Sequence, residues 1–371
     1  MIRKRKVVHM TSVHPPTDVR IFGKQCRSLA RAGHEVHLIV PGVEHKTVEG
    51  VVLEPVPSPR NRFDRMLRTT WAVFRKALAL DADIYHFHDP ELMPVGILLS
   101  FRGKKVVYDV HEELANDIMD KPYIWRPLRP LVAGTVRSFE RMASYFYAGI
   151  VVTRHSLLRN FDRRKTVLVH NYPILGELAA PGSGSFAARP AIAAFVGGAT
   201  RERGLRELVE ALALLPDDMP FELHIAGKIA PPAFLAELEA LPGWRRVRYL
   251  GWLKRPEVAK LLGKAHCGIV TFLPAANHLE SEPTKLFEYM SAGLPVIASN
   301  FPHWEPLVRT EGYGLLVDPR DSRAIANALR WIMQHPEEAE AMGKRGQQAV
   351  VTRYNWDAEL EKLIALYERF N

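Results

Sequence analysis

Residues 280–293 read E-S-E-P-T-K-L-F-E-Y-M-S-A-G and run directly into the apolar segment L-P-V-I-A-S. Pro283 suits the first position of a helix, and Gly293 suits the end of one. The pattern therefore predicts a loop that holds Glu280, a helix that holds Glu288, and a buried strand immediately afterwards. Short apolar strands that follow helices in this way are typical of a parallel sheet.

The first turn of that predicted helix carries Thr284 and Lys285. A helix N-terminus favours anions because its backbone N–H groups and its dipole both attract negative charge. Lys285 opposes the helix dipole unless it meets an anion there. The segment thus predicts a site for a phosphate with hydroxyl-rich groups on either side, to which the two glutamates would bond. The alternative is an amphipathic helix with solvated acidic side chains.

Short apolar runs alternate with amphipathic stretches along the whole chain. The predicted strands are 7–10, 35–40, 84–87, 106–110, 150–153 and 166–169, then 191–196, 222–226, 247–250, 268–272, 296–299 and 314–317. This alternation indicates parallel sheets with helices on both faces. We therefore expect an α/β protein of two doubly wound, Rossmann-like domains that face each other across a cleft. Ligands in such sheets bind beyond the carboxyl ends of the strands.

The boundary between the two domains is predicted at residues 171–190, a stretch rich in Pro, Gly, Ser and Ala. The first domain then covers residues 1–170 and the second residues 191–354. A chain of 371 residues with 47% hydrophobic and 25% charged residues has the size and composition of a soluble two-domain protein.

The cysteines and the hydropathy of the chain indicate the cellular compartment of the protein. Cys26 and Cys267 are far apart and form no C-x-x-C pair, which indicates a reducing compartment and argues against a structural zinc site. No stretch approaches the ~20 apolar residues of a spanning helix. We expect a cytoplasmic protein.

The positive charge is concentrated in the first half of the chain. Residues 1–180 hold 28 Lys and Arg against 18 Asp and Glu, a net charge of +10, whereas residues 181–371 hold 22 against 23, a net charge of −1. A basic domain suggests an anionic partner such as nucleic acid, an anionic membrane surface or a charged acceptor. The alternative is a basic surface that serves solubility alone.

A glycine-rich loop, F-V-G-G-A-T-R-E-R-G at residues 195–204, follows the first strand of the second domain. Gly197 and Gly198 let a ligand approach the backbone, and Arg201 and Arg203 can pair with phosphate. The loop matches neither G-x-x-x-x-G-K-[ST] nor G-x-G-x-x-G, and such turns are also common for structural reasons. Together with residues 280–293, it predicts that one domain grips one diphosphate.

Polar residues follow the strands of the first domain as well. His111 comes just after strand 106–110, where function concentrates in this architecture; the alternative is a hydrogen-bonded structural histidine. His86 and His88 share one face of a strand. They can begin a metal site, or they can bond at the edge of the sheet.

A polar loop, T-S-V-H-P-P-T-D-V-R at residues 11–20, follows the first strand. Its His14 and Arg20, together with His88 and Asp89, are our candidates for lining the acceptor side of the cleft.

Residues 60–80 are basic and amphipathic, with Arg62, Arg65 and Arg68 at three-residue spacing and Trp71 beyond them. Such a helix can lie in a membrane interface. The alternative is an ordinary surface helix whose apolar face lies in the core.

Taken together, these motifs resemble those of the glycosyltransferases of family 4, the retaining group with the GT-B fold. The resemblance covers essentially the whole chain, and the motif variants are similar to those of bacterial surface-polysaccharide enzymes. It rests on six features: the Glu280/Glu288 pair, the P-T-K-L-F-E-Y-M-S-A-G-L-P-V-I-A-S run, the F-V-G-G-A-T-R-E-R-G loop, D-V-H-E around His111, the opening T-S-V-H-P-P-T-D-V-R-I-F, and Tyr354-Asn-Trp356 before a last helix.

The resemblance implies a nucleotide-sugar donor bound by the second domain and an acceptor bound by the first. Glu280 would bond the hydroxyls of the donor sugar, and Glu288 would bond the ribose. The last helix, at about residues 355–371, would pack back on the first domain. The diphosphate would lie against residues of two loops, Gly197, Gly198, Arg203 and Thr284.

The resemblance also implies electrostatic catalysis, in which positive groups stabilise the leaving phosphate, with neither a metal nor a cofactor. His111 would reach the donor sugar and phosphate across the cleft, which gives a catalytic set of His111, Glu280, Arg203 and Lys285. The family often has arginine at the place of Gly198 and lysine at the place of Arg203. Lys285 or Arg201 is expected to compensate for Gly198.

A second departure lies in the turn after the first glutamate. The family's usual glycine-rich turn is here Ser281-Glu282-Pro283, and Pro283 lacks a backbone N–H. One backbone N–H that could bond the sugar of the nucleotide-sugar donor is therefore missing.

Bacterial surface-polysaccharide transferases often use saccharide acceptors linked to polyprenyl diphosphate at the inner membrane face. The resemblance therefore implies a role in capsule, O-antigen or exopolysaccharide synthesis, with residues 60–80 on anionic lipid. Rival functions are another GT-B enzyme, such as a nucleotide-sugar epimerase or a storage-glucan synthase, and a basic nucleic-acid-binding protein. The chain shows no recognisable nucleic-acid-binding motif, so we expect no nucleic acid partner.

Overall fold

The computed structural model of the protein describes residues 3–119, 124–179 and 185–370. The chain divides into two compact units, one made of Met1–Asn171 with Asp357–Asn371 and the other of Tyr172–Trp356. Most of the predicted linker 171–190 is among the described residues, but its residues 180–184 lie outside them.

The first unit is built on an eight-stranded sheet in the order β3-β4-β2-β1-β5-β6-β7-β8, parallel except for the β3–β4 pair. Its strands are β1 Lys6–Met10, β2 Glu35–Pro41, β3 Lys46–Val48, β4 Val51–Val56, β5 Ile84–Phe87, β6 Lys105–Val110, β7 Gly149–Val152 and β8 Thr166–Leu168. The chain leaves β1 first toward β2 and later toward β5, so the strand order reverses between β1 and β5. A doubly wound sheet binds its ligand at such a reversal.

The helices of the first unit connect these strands, as the parallel arrangement requires. In the described residues they are Arg27–Arg31 (α1), Arg62–Asp64 (α2), Thr70–Leu80 (α3), Met93–Ser100 (α4), Leu114–Met119 (α5) and Arg129–Ser144 (α6), with π-helical turns at Val19–Cys26 and Arg65–Thr69. Buried side chains of α3, α4 and α6 pack on one face of the sheet against Tyr85 and Tyr108.

Two local features of the first unit could not be read from hydrophobic pattern alone. The first helical segment begins at Val19, because the Asp18 carboxylate accepts from the N–H groups of Arg20 (2.9 Å) and Ile21 (2.8 Å). Neither β3 nor β4 was predicted; the sequence of β4, V-V-L-E-P-V, carries Glu54 and Pro55, which interrupt the apolar pattern.

The second unit is built on a six-stranded parallel sheet in the order β11-β10-β9-β12-β13-β14. Its strands are β9 Ile192–Val196, β10 Glu222–Ala226, β11 Val247–Gly251, β12 Cys267–Val270, β13 Val296–Ser299 and β14 Gly314–Val317. Here the strand order reverses between β9 and β12, which places the residues that follow these two strands at the usual ligand position.

Helices cover both faces of this sheet, each with its own buried cluster. They are Leu205–Ala213 (α7), Pro232–Glu239 (α8), Arg255–Lys264 (α9), Ala276–Leu279 (α10), Thr284–Ser291 (α11), Ser322–Gln334 (α12) and Pro336–Thr352 (α13), with a π-helical turn at Pro306–Thr310. One face packs α7, α8 and α12, and the other packs α9, α11 and α13.

The last helix, Trp356–Glu368 (α14), belongs with the first unit although it is the last element of the chain. The Tyr367 hydroxyl lies 2.6 Å from His86 Nδ1, and a Glu359 carboxylate oxygen accepts from the His170 N–H at 2.8 Å. Leu366 and Phe370 lie so close to Gly149 that a side chain there would collide with them. The first unit is thus completed by residues from both ends of the sequence.

Both cysteines are buried and free. In the described part of the chain, no helix has both the length and the apolar character needed to cross a bilayer.

Candidate active site

The glycine-rich loop of the second unit begins where β9 ends, at the reversal of strand order. Gly197 has φ = 116°, a conformation that favours glycine. At the end of the loop, Gly204 has φ = 69°, and a side chain there would collide with the Thr271 carbonyl oxygen, only 1.9 Å from the position of its Cβ. The two glycines therefore hold a sharp turn that leaves Gly198 exposed.

Helix α11 is tethered beside this loop by a buried tyrosine. The N–H of Val196, the last residue of β9, donates to the Tyr289 hydroxyl at 2.9 Å. The Tyr289 ring covers Gly268 of β12, where any side chain would collide with it. The helix begins at Thr284 and is followed by Gly293 in the left-handed region, within one residue of the limits that the sequence predicts. Its first turn thus faces the glycine loop.

Two cations meet above Gly197. A Cβ on this glycine would lie 3.0 Å from Lys285 Cε and 3.3 Å from Arg203 Nη1, so both side chains pack over the bare backbone. The Arg203 guanidinium also lies over the Phe272 ring, 5.4 Å from its centroid. Burial lowers the pKa of Arg203, and no carboxylate among the described residues pairs with it. Two partly buried cations over an exposed backbone turn are an arrangement that suits an anion.

Glu288 lies one helical turn beyond Lys285, with only 3% of its side chain exposed. One carboxylate oxygen is 2.7 Å from Lys285 Nζ and the other is 2.9 Å from Arg255 Nη1. Arg255 also pairs with Glu177, which precedes the undescribed part of the predicted linker. Burial would lower the pKa of Arg255, but the Glu288 and Glu177 carboxylates outweigh burial and raise it.

Two other predicted residues of the second unit, Glu280 and Arg201, do not lie over the glycine turn. Glu280 is exposed and lies in the loop between α10 and α11. That loop is held because Trp304 Nε1 donates to the Ser281 carbonyl at 2.7 Å. The Arg201 guanidinium pairs with Glu237 and lies over the Phe234 ring. Lys285, rather than Arg201, is therefore the cation beside the glycines.

In the first unit, three buried histidines stack at the reversal between β1 and β5. His9 and His86 are paired in register on these strands, and His88 follows His86 at strand spacing. Their ring centroids are 4.7–5.2 Å apart. Burial lowers the pKa of His9 and of His86 and brings the pKa of His88 to about 3, so all three rings are neutral at pH 7. This stack was not predicted, because no local sequence pattern pairs His9 with His86, and only the strand order brings them together.

Asp109 connects this histidine stack to His111. It accepts hydrogen bonds from Arg20 at 2.9 and 3.1 Å, and its Oδ2 lies 3.3 Å from His88 Nδ1 and 3.4 Å from His111 Nε2. Burial would raise the pKa of Asp109, but Arg20 and His111 outweigh burial and hold the pKa well below its usual range. His111 is the end of the array that reaches solvent, with 22% of its side chain exposed.

Arg20, predicted to line the acceptor side, is 5% exposed and donates to Asp109 and to the Val169 carbonyl. It cannot meet a ligand without breaking this buried pair, so its position is a supporting one. Asp89 is likewise buried and accepts from Thr11 Oγ1 at 2.8 Å. His14, by contrast, is partly exposed and lies between Asp89 (3.3 Å) and Asp18 (3.5 Å).

His86, His88 and Asp109 offer ligand atoms within 4.8 Å of one another, close enough in principle for a metal ion. The carboxylate, however, already accepts from Arg20 and, at 2.6 Å, from the amide of Gln25. A divalent ion here would have to displace the Arg20 charge. The geometry therefore favours the hydrogen-bonded alternative over a metal site.

Arg255, Asp109 and His9 are the residues that the sequence left unassigned. Asp109 stands in the D-V-H-E motif, two residues before His111, so its proximity to the site could have been inferred from the strand that holds Asp109 and leads into His111. Arg255 lies 33 residues before its partner Glu288, and no local pattern links the two.

Two family models together match most of the chain. The model described as "Glycosyltransferase Family 4" matches residues 21–171, and the model described as "Glycosyl transferases group 1" matches residues 180–349. The division between the two matches falls within the predicted linker.

The chain is also similar in sequence to individual glycosyltransferases. The chain is 26% identical over 308 residues to D-rhamnosyltransferase WbpZ of Pseudomonas aeruginosa, covering 78% of this chain and 75% of that protein. It is 31% identical over 182 residues to D-inositol 3-phosphate glycosyltransferase of Corynebacterium urealyticum, covering 47% of this chain and 42% of that protein.

Solved structures share the fold. Sucrose-phosphate synthase from Thermosynechococcus elongatus superposes with a TM-score of 0.74 at 20% identity, over 99% of both chains. Anabaena Alr3699/HepE, solved in complex with UDP-glucose, superposes with a TM-score of 0.71 at 15% identity, over 97% of this chain and 98% of that one.

Proposed function

The chain belongs to glycosyltransferase family 4, the nucleotide-sugar-dependent transferases with the GT-B fold, and from that premise we propose where it binds its donor. The diphosphate lies over Gly197 and Gly198, between Arg203 and Lys285. The single observation that carries this assignment is the convergence of these two cations on the backbone turn at Gly197, whose positive φ favours glycine.

The remaining donor contacts follow from the direction of α11. Glu288, one turn beyond Lys285, accepts hydrogen bonds from the ribose hydroxyls. The backbone N–H groups at the start of the helix, near Thr284, donate to the phosphate. Glu280, exposed in the preceding loop, accepts hydrogen bonds from the hydroxyls of the donor sugar. The complex of HepE with UDP-glucose supports a donor of this class.

Catalysis on this proposal is electrostatic. As the bond between the sugar and the diphosphate breaks, negative charge grows on the leaving phosphate, and Arg203 and Lys285 stabilise it. These cations take the role that a metal ion has in other transferases, and we propose that the reaction needs none. In the first unit we assign the catalytic role to His111, because it is the solvent-facing end of an array that Asp109 and His88 hold in place.

The acceptor we propose is a saccharide or a polyprenyl-diphosphate-linked saccharide, in the synthesis of a bacterial polysaccharide such as capsule, O-antigen or exopolysaccharide. Two observations support this proposal: the similarity to a D-rhamnosyltransferase along most of the chain and the basic character of the first half of the sequence.

Residues 60–80 support peripheral attachment to an anionic membrane at the cytoplasmic face. The inner side of α3 lies in the core, while Phe63 is 78% exposed, Leu67 75% and Trp71 56%. Arg65 pairs with Glu91 and Arg68 with Asp64. The exposed apolar side chains would therefore drive insertion more than unpaired charge does.

The donor site is tested by thermal shift and titration calorimetry in EDTA against UDP, GDP, ADP, CMP and their sugar conjugates. A bound ligand raises the melting temperature, so we expect a selective rise with one nucleoside diphosphate, and Glu288→Ala should reduce it. If no nucleotide stabilises the protein in EDTA but one does with Mg²⁺, the metal-free mechanism is wrong. If none does under either condition, the donor site is wrong.

A further inference from the structure

Arg255 bridges two acidic residues from distant parts of the sequence. It is the first residue of α9, and its guanidinium donates to Glu288 Oε1 at 2.9 Å and pairs with Glu177. None of the donor contacts proposed above involves Arg255, and the side chains nearest to Gly197 are those of Lys285 and Arg203. Its effect on a ligand would have to pass through Glu288.

The Glu288 carboxylate is almost fully buried and is matched by two cations, Arg255 and Lys285. A buried carboxylate is stable only while it is paired and hydrogen-bonded. If one of the two cations is removed, the carboxylate still has a positive partner. If both are removed, its negative charge is buried without one. Glu288 therefore tolerates the departure of Lys285 as long as Arg255 stays.

Lys285 faces two anions once a donor is bound. Its Nζ bonds Glu288 at 2.7 Å, yet its stem packs over Gly197, where the proposed diphosphate lies. To give its full charge to the diphosphate, the ammonium must move away from Glu288. That movement is easy only if another cation remains at the carboxylate.

We propose that Arg255 is a positioning residue that keeps the Glu288 carboxylate charge-matched while Lys285 turns to the donor diphosphate, and that Glu177 holds Arg255 in place. The inference rests on the proposed donor site and extends it. It adds a residue that sets affinity for the diphosphate without touching it, and it connects the segment before the second unit's first strand to the donor site.

The test is a double-mutant cycle on binding of the nucleoside diphosphate that the wild-type protein selects in the calorimetric screen. Arg255→Met keeps an unbranched stem and removes the charged guanidinium. We expect it to weaken diphosphate binding about tenfold in the wild-type background, but less than about twofold in a Glu288→Gln background, because a neutral amide needs no cation and leaves Lys285 free for the diphosphate. Arg255→Lys, which can still pair with Glu288, should recover part of the loss.

Arg245→Met is the matched control, because Arg245 also forms an ion pair, with Asp217 at 2.6 Å, but on the exposed surface. We expect it to leave binding unchanged. Melting temperatures of all variants establish that each is folded at the assay temperature. Glu177→Gln should weaken binding in the same direction as Arg255→Met, but by less.

The outcomes separate the inference from the function on which it rests. Equal losses on Arg255→Met in both backgrounds would mean a general structural effect and would overturn the inference, as would no loss at all; in either case the donor site stands. If the wild-type protein binds no nucleoside diphosphate, the donor site and the inference fall together.

Discussion

Lys285 Nζ lies 2.7 Å from Glu288 Oε2, three residues further along the same helix, while the stem of the lysine covers Gly197. Without a donor, the cation nearest the glycine turn is thus held by the carboxylate assigned to the ribose. If the donor binds as proposed, it would redistribute charge within one turn of α11, and recognition of the phosphate and of the ribose would be coupled.

Replacing Lys285 by glutamine should weaken binding of a nucleoside diphosphate, because the phosphate loses one of its two cations. A hydrogen bond to a charged group contributes ~1.5–3 kcal/mol, which corresponds to a loss of about tenfold to a hundredfold in affinity. Titration calorimetry measures this, with the exposed Lys264→Gln as control. Unchanged affinity would contradict the assignment of Lys285 and leave Gly198 without a compensating cation.

Replacing Asp109 by asparagine should destabilise the protein strongly, because it leaves the buried Arg20 guanidinium without a carboxylate. Breaking a buried pair from one side costs ~3–5 kcal/mol. Chemical denaturation gives the free energy of unfolding. The double variant Arg20→Met/Asp109→Asn should lose less than the sum of the two single variants, since each change removes the cause of the other's penalty. Strict additivity would show that the pair is not the source of the loss.

Stability should fall as the pH drops below about 6.5, because the stacked histidines resist protonation in the folded state. The unfolded chain takes up protons near pH 6.5, whereas folded His88 does so only near pH 3. Folding is therefore opposed across that window, by up to ~1.4 kcal/mol per pH unit for each such histidine. Denaturation between pH 7.5 and 5 measures the slope. His9→Asn, which retains a donor toward His88, removes one of the stacked histidines. It should therefore reduce the slope by up to ~1.4 kcal/mol per pH unit.

His14 should show the opposite dependence on pH. Burial opposes its protonation, but Asp18 and Asp89 outweigh burial and raise its pKa. Its contribution to stability is therefore complete below about pH 6.5 and is lost as the pH rises through its higher folded-state pKa. Denaturation of His14→Asn should accordingly show a larger loss at pH 6 than at pH 9. An equal loss at both values would show that the carboxylates do not act on the protonated ring.

Replacing Phe63, Leu67 and Trp71 together by serine should reduce flotation with vesicles that contain anionic phospholipid. These three side chains are more than half exposed, and the loss of their apolar area predicts binding weaker by at least about tenfold. Trp252→Ser, which removes an exposed tryptophan of the second unit, is the control. If the wild-type protein floats with neither anionic nor neutral vesicles, membrane attachment is wrong.

The regular elements of the fold could be predicted from the sequence, because buried parallel strands are short and continuously apolar. Strand β10 was predicted at its observed bounds, and α11 to within one residue. Strand β4 was not predicted because Glu54 and Pro55 break its apolar run. The start of the first helical segment depends on a side-chain cap, Asp18, rather than on hydrophobic periodicity.

The site could be predicted only where its residues stand close together in the sequence. Gly197 and Arg203 lie in a motif that follows strand β9, and Lys285 and Glu288 lie in a motif that opens helix α11. The partners of these residues do not: an ion pair such as Arg255–Glu288 needs complementary charges and proximity, and only tertiary packing supplies the proximity. The same holds for Arg20, whose charge suggested a ligand contact but is used by Asp109.

The return of α14 to the first unit has a consequence for biosynthesis. On the ribosome, the eight strands of that unit emerge long before Tyr367, the partner of His86, and before Leu366 and Phe370, which cover Gly149. The second unit, by contrast, is contiguous in sequence. The part of the protein that is translated first is therefore the part that is finished last. Until α14 has been synthesised, the sheet of the first unit lacks the side chains that cover Gly149 and the hydroxyl that bonds His86.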